Sequence, residues 1–119
     1  TLFTILVETE QYNTLTHLNL SKNQCGKPGT KAIVNFIQRT TCLQVLVLSK
    51  ANIDGNIFFK AFNTDKIKKS ENNTLSHLDT ITLLDFSYNT IGDTGAEYLG
   101  KFCEKTRALN FLKLTHCNI

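Results

Sequence analysis

At 119 residues the chain has room for one domain and not for two. Its 41% hydrophobic and 19% charged residues suit a packed, water-soluble core and exclude a disordered or fibrous composition. The net charge of +3 comes from scattered lysines, which argues against a nucleic-acid-binding role, and no apolar run approaches the roughly 18 residues of a membrane span.

Taken from the start, Leu2, Phe3, Ile5 and Leu6 read as the tail of a helix, and Asn13-Thr14 leads out of it. The opening Thr1–Val7 is too short to span a membrane and lacks the basic start of a signal peptide. The chain contains no Met, so it reads as beginning inside a longer parent.

A frame then appears at Leu15, Leu18, Leu20, Asn23 and Cys25, with apolar residues at its first, fourth and sixth places. It returns at Leu43, Leu46, Leu48, Ala51 and Ile53. The third copy is Ile81, Leu84, Phe86, Asn89 and Ile91, and the fourth is Leu109, Leu112, Leu114, Cys117 and Ile119. The copies start 28, 38 and 28 residues apart. Each short alternating stretch predicts a strand, and the intervals leave room for a helix between strands.

The first interval predicts a helix over Thr30–Thr40, opened by Gly29 and preceded by Pro28, with Ala32, Ile33, Phe36 and Ile37 on its inner stripe. The second, longer interval predicts a helix from about Asn56, carrying Ile57, Phe58, Ala61 and Phe62. Lys66–Asn73 reads as a charged loop or frayed helix end, and its cluster Lys66, Lys68, Lys69 as a solvated face. Asn73–Leu78 echoes Asn13–Leu18, but a strand at Leu75 would leave no helix before Ile81, so the third copy is placed at Ile81. The last helix is predicted over Ala96–Lys105, opened by Gly95 and capped by Asp93 or Thr94, with Ala96, Leu99, Phe102 and Cys103 facing the sheet.

The spacing of apolar residues, Asn or Cys, and a final apolar residue resembles the leucine-rich repeat, and the helix-bearing 28-residue period resembles its ribonuclease-inhibitor-like class. That class includes the inhibitor itself, the repeat domains of NOD-like receptors, Ran GTPase-activating proteins and secreted effectors of intracellular bacteria. The resemblance implies an α/β leucine-rich repeat solenoid: a horseshoe fragment of about four strands, with a parallel concave sheet and convex helices. The domain is expected to cover 1–119, with repeat starts at Leu15, Leu43, Ile81 and Leu109 and an insert within 54–80. Neither end carries a polar capping repeat, so the chain reads as a fragment. Ala51 replaces the usual Asn or Cys and should weaken the ladder there. Repeat two has Ile57 where the flanking repeats have Gly29 and Gly95.

In this frame places four and six point into the core, and Asn23 and Asn89 satisfy backbone groups at the strand exits. Places three, five and seven face solvent on the concave side. Place three reads His17, Val45, Leu83, Phe111; place five reads Asn19, Val47, Asp85, Lys113; place seven reads Ser21, Ser49, Ser87, Thr115. At the exit, place eight reads Lys22, Lys50, Tyr88, His116. The candidate protein-binding surface is therefore His17, Val45, Val47, Leu83, Asp85, Tyr88, Phe111, Lys113 and His116. Its centre is the apolar patch Val45, Val47, Leu83 and Phe111. Asp85 and Lys113 are expected to form a surface ion pair.

No catalytic constellation is expected. His17 and Asp85 stand two strands apart, roughly 10 Å at about 4.8 Å per strand, beyond hydrogen-bond reach. The four cysteines take structural places, with no zinc spacing and no C-x-x-C, so no cofactor or metal is expected and the thiols should be free and mostly buried. That favours a reducing, cytoplasmic setting. Only two Arg stand against eleven Lys, which suggests an AT-rich genome and hence an effector acting in a host cytosol. The function expected is a non-enzymatic protein-interaction module with a protein partner, binding neither nucleic acid nor membrane. The alternatives are a regulator or inhibitor of a partner enzyme, or a sensor segment of a NOD-like receptor. Unpaired strand edges at the two ends would let copies self-associate.

Overall fold

A computed structural model describes residues 14–40, 42–62, 80–106 and 108–118. The expectations for the first thirteen residues, for Lys66–Asn73 and for the echo at Leu75 and Leu78 lie outside these. The described elements alternate strictly. They are β1 (His17–Asn19), α1 (Gly26–Arg39), β2 (Val45–Val47), α2 (Gly55–Ala61), β3 (Leu83–Asp85), α3 (Gly92–Lys105) and β4 (Phe111–Lys113).

The four strands form one parallel sheet in the order β1-β2-β3-β4. Register follows the sequence frame residue for residue: His17 pairs with Val45, Val45 with Leu83, and Leu83 with Phe111. Place five lines up likewise as Asn19, Val47, Asp85 and Lys113. The ladder continues past the strands, where Leu20 N–H donates to Val47, Leu48 N–H to Asp85, and Phe86 N–H to Lys113. Each strand is only three residues long, so these flanking bonds carry much of the stacking between repeats.

The core lies between sheet and helices. Places four and six supply Leu18, Leu20, Leu46, Leu48, Leu84 and Phe86, all buried. The helices supply Ile33, Val34, Phe36, Ile37, Phe58, Phe59, Leu99 and Phe102, and Phe62 joins them from the C-cap of α2. Phe58, Phe59, Phe62, Phe86 and Phe102 touch one another at centroid separations of 4.9–5.8 Å, mostly edge to face, which joins α2, α3 and β3. Such pairs add about 0.5–1.5 kcal/mol each beyond the area they bury. In the fourth repeat Leu112 and Leu114 hold the equivalent places but are only half-buried, since among the described residues no strand follows β4.

The helices begin earlier than the glycine pattern predicts. α1 starts at Gly26 and α3 at Gly92, both in the left-handed region with φ of 65° and 73°. Gly29 and Gly95 fall in the first turns and serve a different end: a Cβ on Gly29 would stand 2.6 Å from Cys25 Cβ, and one on Gly95 3.0 Å from Ile91 Cγ2. They let the first turn close over the last apolar place of the repeat. Asp93 and Thr94 are not caps; the residue before α3 is Ile91, with no side-chain cap bond. Among the described helices the one side-chain N-cap is in repeat two, where Asp54 accepts from Ile57 N–H at 3.0 Å. Ala32 and Cys103 face solvent, because α1 presents Ile33, Val34, Phe36 and Ile37 inward and α3 presents Leu99 and Phe102.

Candidate protein-binding face

The open face of the sheet is built from the alternation of each strand. Place four turns inward, so places three and five turn outward on the same strand. Exposure grades across the face: Val45, Val47, Leu83 and Asp85, on the two central strands, are half-buried, while His17, Asn19, Phe111 and Lys113, on the outer strands, are exposed. Phe111 at 61% and Tyr88 at 46% are the exposed large apolar side chains among the described residues. Val45, Leu83 and Phe111 are successive register partners, and Val47 lies two residues along from Val45.

Place five is not held by an ion pair. Asp85 and Lys113 are register partners, yet the Asp85 carboxylate accepts the Ser87 N–H at 3.1 Å and no salt bridge joins it to Lys113. Asn19 does the same with Ser21 N–H at 3.0 Å. A short polar side chain reaching its own backbone two residues on competes well with a surface ion pair worth under about 1 kcal/mol. Place seven also departs from the expectation. Ser87 is buried, and its Oγ accepts the Thr115 N–H at 3.2 Å.

Place eight has a geometry that periodicity does not reveal. Lys22, Lys50, Tyr88 and His116 all adopt left-handed φ, between 52° and 62°. The turn lets each chain leave the strand while the N–H groups of Lys22, Lys50 and Tyr88 still donate to the next repeat, to Ser49, Ser87 and Thr115. One consequence is a stacked row at the sheet's exit edge. Lys50 Nζ lies 4.8 Å from the Tyr88 ring centroid, and the His116 ring lies 5.1 Å from it on a tilt of 31°. Lys50 was not among the sequence-derived site residues; its place-eight column with Tyr88 was the available signal.

Behind this edge Asn89 joins the repeats. Its Nδ2 donates to the Leu48 and Phe86 carbonyls at 2.7 and 2.9 Å, and its Oδ1 accepts Ile53 N–H at 2.8 Å. Cys117, in the same place one repeat later, donates its thiol to the Phe86 carbonyl at 3.3 Å. Ala51, fully buried, offers no such group, and the Leu20 carbonyl takes its side-chain bond from Asn23 instead, at 2.7 Å. His17 holds Thr16 Oγ1 at 3.0 Å. Among the described residues no group of three or more His, Cys, Asp or Glu side chains is placed to hold a metal ion, and no helix is long and apolar enough to cross a membrane. Cys25, Cys103 and Cys117 are free thiols, of which only Cys117 is buried, while Cys42 Sγ donates to the Leu15 carbonyl at 3.5 Å.

The architecture defines a strand–helix solenoid that stacks one repeat on the next through its backbone and its ladder asparagine. The fold is that of a leucine-rich repeat fragment, and the Leucine Rich repeat family model matches residues 13–34 and 80–100. Those segments are the first and third copies, the two whose helices open on left-handed glycine. The chain is also similar to the human (Homo sapiens) protein "NACHT, LRR and PYD domains-containing protein 13", with 31% identity over 109 residues. That alignment takes in 92% of this chain and 10% of the relative, so the chain spans about a tenth of that protein's length. No solved structure matches the chain.

Proposed function

We propose that this chain is a non-enzymatic protein-interaction module that presents the open face of its sheet to a protein partner. The observation that carries this reading is the exposed Phe111, 61% accessible, set at the end of a continuous apolar file with Leu83 and Val45. An aromatic anchor beside half-buried aliphatic residues and a polar rim is the usual composition of a binding hot spot. Burial of Phe111 by a partner would recover roughly 1.5–3 kcal/mol that the isolated chain forgoes.

The likeness to a NACHT-, LRR- and PYD-domain protein supports a parent in which this segment serves as a sensing or docking surface, and favours that parent over a secreted effector. Free thiols at Cys25, Cys103 and Cys117 support a reducing, cytoplasmic setting.

Pull-down from lysate with the wild-type chain and with Phe111→Asp tests the reading. The variant should fold normally, because Phe111 is exposed, and should lose the proteins that the wild type retains. Equal capture by both would show that the open face is not the site.

A further inference from the structure

The strand-exit row adds a chemical specification to that face, and it rests on the interaction reading. Lys22, Lys50 and Lys113 are the cations of the described strands and exits, and none of them is ion-paired among the described residues. Among the described residues the one carboxylate on the open face, Asp85, is engaged by Ser87 N–H. Lys50 is held over the Tyr88 ring at 4.8 Å, and His116 packs against the same ring. Left-handed backbone recurs at Lys22, Lys50, Tyr88 and His116, and the last three side chains stack along the exit edge, five residues further along each repeat than the apolar file ending in Phe111.

We infer that this edge selects an acidic protein segment, one that carries carboxylates next to aromatic or aliphatic side chains. The carboxylates meet Lys22 and Lys50, the apolar side chains meet Tyr88, Phe111 and Leu83, and the Lys50–Tyr88 contact holds the cation before the partner arrives. Charge complementarity chooses the sign of the partner, and a cation over an aromatic ring keeps its full charge for a second contact. The half-buried aliphatic side chains Val45, Val47 and Leu83 suit apolar side chains better than bases, and single-stranded nucleic acid, which could stack on Tyr88 and Phe111, is the competing occupant that the test separates.

Fluorescence anisotropy on the full chain provides the test, with short labelled peptides of Glu and Phe, matched peptides of Lys and Phe, and single-stranded oligothymidine as probes. Asp and Asn tolerate left-handed φ, so Lys50→Asp and Tyr88→Asn keep the backbone, and circular dichroism checks that they do. The Glu–Phe peptide should bind at least tenfold more tightly than the Lys–Phe peptide, and each variant should erase most of that preference. Equal binding of the two peptides, no change in Lys50→Asp, or tighter binding of oligothymidine would each overturn the inference. Should Phe111→Asp weaken the Glu–Phe peptide while Lys50→Asp leaves it unchanged, the face binds without reading charge, and only the acidic specification falls.

Discussion

The Asn89 side chain donates to the Leu48 carbonyl at 2.7 Å, across 41 positions of sequence. The same amide closes on Phe86 in its own repeat and receives the Ile53 N–H, so one buried residue satisfies backbone groups of two repeats. Those groups lie where the strands end and no regular ladder reaches them, and an unmet buried partner costs about 1–3 kcal/mol. Asn89→Ala should therefore lower unfolding free energy by about 2–4 kcal/mol. Asn89→Cys should cost less, because Cys117 shows that a thiol in this place can still reach a carbonyl of the preceding repeat. Urea denaturation of the three proteins compares them; equal stability of Ala and Cys variants would show that the carbonyl contact contributes nothing.

Two glycines should respond to alanine in opposite directions. At Gly55 a Cβ would stand 2.7 Å from the Thr90 carbonyl oxygen and 2.8 Å from Ile91 Cα, both backbone atoms of the next repeat. Gly55→Ala should force α2 away from that repeat and cost about 1–3 kcal/mol. Gly100, within α3, has nothing within 4 Å of its would-be Cβ, so Gly100→Ala should stabilise by about 0.5–1 kcal/mol. Thermal melts of both variants decide the matter.

Lys22 occupies a left-handed turn at φ 61° and is exposed. Lys22→Gly should relieve the Cβ crowding of that conformation, and after the added freedom of the unfolded chain should gain about 0.5 kcal/mol. Lys22→Val, β-branched, should lose about 1–2 kcal/mol at the same place. A melting temperature that moves the same way for both would contradict the assigned backbone.

Burial pushes the Cys117 thiol above the ordinary thiol range, and desolvation raises Cys25 and Cys103 as well. Each therefore holds its proton more tightly folded than unfolded. Stability from this source is complete below the ordinary thiol value and falls as pH rises from there through the raised values. Maleimide labelling of the native chain, followed by mass spectrometry, should modify the exposed Cys103 ahead of the buried Cys117 and accelerate with pH. Early loss of Cys117 at neutral pH would contradict its packing.

How much of this was legible beforehand differs from residue to residue. The period of Leu15, Leu43, Ile81 and Leu109 determined the strand positions, because inward side chains must recur wherever a repeat stacks on its neighbour. It therefore also aligned His17, Val45, Leu83 and Phe111 in one file; Ile81 was preferred to the competing echo at Leu75 because a strand at Leu75 would leave no helix before Ile81. What it could not decide is where competing local bonds win. Asp85 turned to Ser87 and not to Lys113; Asp93 and Thr94 did not cap α3; and the glycines that open the helices are Gly26 and Gly92, because their left-handed φ depends on where the preceding backbone is bonded. The stack of Lys50, Tyr88 and His116 likewise arises only once three repeats lie side by side. Periodic burial is written into the order of residues, since each side chain's inward or outward sense follows from its place in a repeat. Which polar partner a side chain chooses is decided by distances that only the folded neighbours set.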